Sequence, residues 1–223
     1  MTESVLMNTW PRLARVGAIA AALLAAGCGA LPDKPARAAL FDFGPGAMKS
    51  APAAAAPTAP LPPIALGDVD ANPRLDGTQM LYRLVYADGN ELRPYAQSRW
   101  SLAPAQLLRQ RLRDGLAEGH TVLGSDESAT MARATGRQPD VLRVSLEEFS
   151  QVFDAPGSSV GLIRASATLT RNGASGDKVL AQRVFAVQRP APSADAPGGV
   201  KALIAASDAL VAEIVAWVDQ QPK

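Results

Sequence analysis

A single cysteine and one apolar run restrict what this chain can fold into. Cys28 is the only cysteine in 223 residues, so no disulfide can form within the chain. It stands directly after Val16 to Gly27 (VGAIAAALLAAG), an uncharged stretch preceded by Arg12 and Arg15. A bilayer-spanning helix needs about 20 apolar residues. This shorter run with its basic flank has instead the form of a secretory signal's apolar region, and Met7 is an equally good start for it. Residues 1–27 are therefore read as a signal peptide. Residues 29–63 hold eight prolines and eleven alanines, a density that blocks both helix and sheet. That leaves a tether over 28–60 and one folded domain over 61–221. A domain of this size buries about two-thirds of the surface its unfolded chain exposes, and so needs no covalent staple.

The junction Ala25-Ala26-Gly27-Cys28 resembles a bacterial lipobox, with Leu24 one place before its usual slot. At such a site the thiol is acylated and becomes the new N-terminus. The alternative is a plain signal peptide cut near Ala26. Several acyl chains on one cysteine meet the requirement that stable anchoring takes more than one chain. Without residues 1–27 the chain carries 20 Lys+Arg and 20 Asp+Glu, which excludes the basic footprint of a nucleic-acid binder. As an extended stalk, the Ala/Pro segment reaches about 100 Å from the bilayer. Within it Leu40–Gly46 (LFDFGPG) carries two phenylalanines; it either docks on the domain or forms a partly collapsed apolar kink.

The domain reads as α+β, a mostly antiparallel sheet packed against helices. Strands are expected at Pro63–Val69 and Thr78–Tyr86, around the turn-rich DANPRLDG. Ala105, Leu108, Leu112 and Leu116 recur at helical spacing, predicting a helix over Ala103–Ala117 with Ser101 as N-cap. A three-strand meander follows. In its first strand Leu142, Val144 and Leu146 share one parity while Phe149, Gln151 and Phe153 share the other, so a bulge is expected at Glu147-Glu148. A final helix is predicted over Val200–Val218, with an apolar stripe of Val200, Leu203, Ile204, Leu210, Val211, Ile214, Trp217 and Val218.

No constellation for catalysis emerges. Gly157-Ser158-Ser159-Val160-Gly161 fits G-x-S-x-G, but lies between two strands instead of on a strand–turn–helix elbow. Ser175-Gly176-Asp177-Lys178 fits S-x-x-K, again in a turn. His120, the sole histidine, closes a helix and is expected to cap or face solvent. No metal-ligand spacing or phosphate loop is present, so neither a metal nor another cofactor is expected. The three tyrosines and Trp100 crowd into YRLVYADGNELRPYAQSRW (82–100). Tyr82 and Tyr86 are expected on one face of a strand, as core or sheet cover. Tyr95, Arg99 and Trp100 follow a turn, where they serve either partner docking or a structural lock in which Arg99 pairs with a carboxylate.

Three stretches resemble the ABC-type transport auxiliary lipoproteins, relatives of paraquat-inducible protein C. They are LDGTQMLYRLVYADGNELRPYAQSRWSLAPAQLLRQRL (75–112), VLRVSLEEFSQVFDAPGSSVGLIRASATL (141–169) and RVFAVQRPAPSADAPGGVKALIAASDALVAEIVAWV (183–218). LFDFGPG is similar to the family's Tyr/Phe-Asp-hydrophobic-Gly-Pro segment. The departures are Ala25 in the lipobox and the Ala/Pro insertion after Gly46. The resemblance implies a non-enzymatic, periplasm-facing lipoprotein serving an ABC permease and ATPase together with a mammalian-cell-entry-type protein, in traffic of phospholipids or other apolar molecules between membranes. Gly29 after the cysteine favours the outer membrane by the sorting rule for lipoproteins. The alternative is a structural lipoprotein for envelope integrity with no transporter partner. A sheet edge or apolar patch can also support a homo-oligomer.

Overall fold

The change of parity at Glu147-Glu148 marks the point around which the sheet is organised. The computed structural model describes residues 37–45, 61–173 and 176–222. Its elements are β1 (Ala39–Phe41), β2 (Leu61–Ala71), a 3-10 turn (Pro73–Leu75), β3 (Gln79–Leu84), α1 (Val85–Asp88), β4 (Gly89–Trp100), α2 (Pro104–Leu116), β5 (His120–Leu123), α3 (Ser125–Thr135), β6 (Asp140–Ala155), β7 (Ser158–Gly173), β8 (Gly176–Pro190) and α4 (Ala196–Asp219). One edge of β6 pairs with β7 along its length. Its other edge is shared: β2 takes Asp140 to Leu146, and β3 takes Gln151 to Phe153. The predicted bulge, between Leu146 and Glu148, falls in the gap where the partner changes. There Glu148 receives Arg83 at 3.0 Å and Glu147 receives Arg164 at 2.8 Å.

The fold is α+β. The two longest ladders, β6–β7 and β7–β8, are antiparallel as the meander predicts. The pairings of β2 with β5 and β6, of β3 with β6 and of β1 with β4 are parallel, so the sheet as a whole is mixed. Helices α2 and α4 pack against it. Gly161 of β7 sits where an added Cβ would lie 2.7 Å from the backbone of Ala202 in α4, so this glycine sets how closely helix and sheet approach. Val200, Leu203, Leu210, Ile214 and Trp217 of α4 are buried with Ile163, Ala165, Ala167, Phe185 and Val187 of the sheet. Helix α4 begins one turn before its predicted start. Pro197 is tolerated in the first turn, and the Asp195 carboxylate caps it by accepting from the Gly198 amide at 2.8 Å.

Several expectations are corrected. The β3 strand ends at Leu84, and Val85–Asp88 wind into a helical turn, so Tyr86 leaves the sheet and is 48% exposed. The stretch after that turn is a strand, β4, and α3 is a helix with no predicted counterpart. The N-cap of α2 is Ala103, without a side-chain cap, while the Ser101 amide is used elsewhere.

Of the two readings of LFDFGPG, docking is what occurs. β1 pairs with β4, Ala39 to Ser98 through Phe41 to Trp100. The Ser101 amide donates to the Phe41 carbonyl at 2.7 Å. Phe43 is buried, edge-on to Trp100 at 5.8 Å and stacked on Phe149 at 6.2 Å. Arg111 of α2 donates to the Phe43 carbonyl at 2.7 Å and lies 3.1 Å from Asp208 of α4. The folded unit thus starts at Ala38, and nine residues, not several tens, separate it from Cys28.

Candidate functional site

Cys28 lies outside the described residues. The other three candidates, Tyr95, Arg99 and Trp100, all sit on β4, and the irregularity of that strand explains their arrangement. Between the pairs Gln79–Arg99 and Leu81–Pro94, β3 advances two residues while β4 advances five. The extra residues form a bulge, and Pro94 stands at its edge, where a proline in a strand is tolerated. Arg99 closes the bulge with Nη1, donating to the carbonyls of Tyr95 at 2.7 Å and Ser98 at 3.2 Å. These acceptors are backbone oxygens and not the carboxylate that a lock was expected to use. Trp100 is 1% exposed, between Phe43 and Phe149. In this conformation its ring is unavailable to a partner.

Tyr95 turns inward. Its ring packs on Tyr82 at 4.6 Å, and its hydroxyl donates to Gln151 Oε1 at 2.9 Å. Gln151 is fully buried, and its Nε2 donates to Ser159 Oγ at 2.8 Å. One amide thus joins β4, β6 and β7, with both its oxygen and its nitrogen engaged, as a buried polar group requires. The first turn of α4 lies over it: a Cβ at Gly199 would fall 1.9 Å from Gln151 Oε1. Burial, with the charges of Tyr82 and Asp195 second and third, pushes the Tyr95 phenol up to about 12. Sequence reasoning places Gln151 in the inward phase of β6 without assigning it a role. The available signal was a polar residue between Phe149 and Phe153 in a core-facing register.

The catalytic candidates are dispersed. Ser159 is committed to Gln151, while Ser175 lies outside the described residues. His120 is buried and neither caps nor faces solvent. Its Nδ1 is 2.7 Å from the Pro62 carbonyl and its Nε2 2.8 Å from Asp219 Oδ1, joining β5, β2 and the end of α4. Among the described residues no group of three or more His, Cys, Asp or Glu is placed to hold a metal. An open cleft of about 530 Å³ runs between α3 and the β2–β6 ladder, lined by Asp68, Asp70, Arg109, Arg143, Ser128 and Asn172 among others. Its two carboxylates and two guanidinium groups balance, and Arg109 is already 3.2 Å from Asp68. Among the described residues no helix is long and apolar enough to cross a membrane.

No curated protein matches this chain. Solved structures with the same fold include a Xanthomonas campestris protein of the DUF330 family, 17% identical over 70% of this chain and 83% of that one, with a TM-score of 0.57. Another is an uncharacterised protein, 16% identical over 82% of this chain and 99% of that one, with a TM-score of 0.58. Likeness at this level speaks for the fold alone. The family model of the ABC-type transport auxiliary lipoprotein component matches residues 47–215, most of the chain and nearly all of the sheet and helices described above, and the protein belongs to that family.

Proposed function

We propose that the protein is acylated at Cys28, carries palmitate or similar chains there, and faces the periplasm from the outer membrane as the accessory of a mammalian-cell-entry-type ABC system moving phospholipids or related apolar molecules. The observation that carries this reading is the position of the sole cysteine. In a member of a transport lipoprotein family, it stands at the small-residue junction closing an apolar signal. The domain offers this system a binding module and not a reaction centre: Ser159 and His120 are each tied into separate structural contacts. Tyr95, Arg99 and Trp100 serve on this reading as the structural lock of β4, leaving partner contact to other surfaces.

Two measurements test the proposal. Mass spectrometry of the native protein should find acyl chains on Cys28, and Cys28→Ser should release the protein from the membrane fraction; an unmodified thiol on a free periplasmic chain refutes the anchor. Crosslinking in intact envelopes should capture the permease or the mammalian-cell-entry-type protein. If a deletion strain leaks independently of the ATPase and nothing of the transporter is captured, the structural-lipoprotein alternative holds.

A further inference from the structure

The tether is far shorter than composition suggests, because LFDFGPG is part of the sheet. Nine residues, 29–37, lie between Cys28 and the start of the folded unit at Ala38. Fully extended, they span about 30–35 Å. The direction from which the chain arrives is also fixed. β1 runs parallel to β4, and β4 departs from α1, so Ala38 leads into β1 from the side on which α1 lies. That side is the end of the sheet where β3 finishes against Phe153. The β7–β8 turn is at the opposite end of the β6–β7 ladder.

The α1 turn exposes two large side chains that are neighbours in the chain. Val85 is 50% and Tyr86 48% exposed, side by side at the tip between β3 and β4. The charges around them are occupied: Asp88 Oδ1 accepts from the Asn90 amide at 2.8 Å, Glu91 pairs with Arg93, and Arg83 with Glu148. An apolar side chain beside an amphipathic ring, with the nearby described cations Arg83 and Arg93 both paired, suits the interface of a zwitterionic bilayer. Four residues are too few to bind a membrane unaided. A short tether changes that by holding the tip at a high effective concentration beside the lipid.

We infer that the α1 tip, Val85 and Tyr86, is a lipid-contacting surface, and that the short Cys28–Ala38 tether presses this end of the domain against the bilayer. The inference rests on the acylation of Cys28 proposed above. It is tested with the full-length acylated protein in phosphatidylcholine vesicles. An environment-sensitive fluorophore is placed on Ala87→Cys in the tip or, as control, on Lys178→Cys near the β7–β8 turn; the acylated Cys28 thiol is blocked to labelling. The expected result is a blue shift at 87, with strong quenching by brominated lipid, and neither change at 178. Lengthening the 29–37 segment with a Gly/Ser insert should abolish the signal at 87 while the protein still sediments with the vesicles. Equal, unquenched emission at both positions in sedimented protein overturns the inference and leaves the anchor standing. An unlabelled wild-type chain that fails to sediment removes the anchor and the inference together. Quenching at 87 that survives the insert overturns the role of tether length.

Discussion

Replacing Phe43 tests the docked segment, on which both the boundary of the domain and the length of the tether depend. Phe43 is 8% exposed, between Trp100 and Phe149. Truncating a buried phenylalanine to alanine costs about 3–5 kcal/mol. The lower end applies here, because a segment held by three strand pairs can swing away instead of leaving a rigid cavity. The Ser101 amide reports the event directly, since its acceptor is the Phe41 carbonyl at 2.7 Å. A loss of about 3 kcal/mol corresponds to roughly 100-fold in a local opening equilibrium. Phe43→Ala should therefore raise hydrogen exchange at Ser101 by about two orders of magnitude while amides of the β6–β7 ladder change far less. Leu40→Ala, at a side chain 69% exposed, should stay within about 0.5 kcal/mol of wild type. If Ser101 exchange is unchanged in Phe43→Ala, or rises equally with that of Leu142 and Ile163, the segment is not an independently docked latch. The stretch between Cys28 and the folded unit is then long and not short.

Gln151→Leu keeps the volume but strands the Tyr95 and Ser159 hydroxyls in the interior, so urea unfolding should show a loss of about 2–4 kcal/mol. The Tyr95 phenol, raised from 10 to about 12 chiefly by burial, gives stability that is fully present below pH 10. It is lost as pH rises from 10 to 12, because the unfolded chain ionises first. Spectrophotometric titration should show Tyr95 ionising late, a step that Tyr95→Phe removes, and that variant should flatten the alkaline slope of stability. His120→Ala deserts the Pro62 carbonyl and Asp219, with an expected cost of about 1–3 kcal/mol. The readout is faster exchange at Gln221, whose amide closes the last turn on Val218 at 3.1 Å.

What the sequence revealed about this fold depended on whether the signal was local. The bulge in β6 was legible because side-chain parity is a property of one strand, and Glu147-Glu148 break it wherever the partners are. The helices α2 and α4 were legible because their buried stripes repeat at short spacing. β4 was hidden: Asn90, Glu91 and Pro94 resemble turn chemistry, and only its pairing with β3 and β1 makes it a strand. Helix α3 was hidden for the opposite reason, since it buries no residue and so shows no apolar period for pattern reasoning to detect. His120 gave no local hint, because its carboxylate partner is 99 residues away. The same distinction applies to function. The apolar run and Cys28 are linear features, so the lipobox expectation could be framed from sequence alone. Where the folded unit begins is a tertiary property: it depends on whether two phenylalanines in an Ala/Pro-rich stretch find Trp100 and Phe149 across the fold, and composition alone places that start more than twenty residues too late.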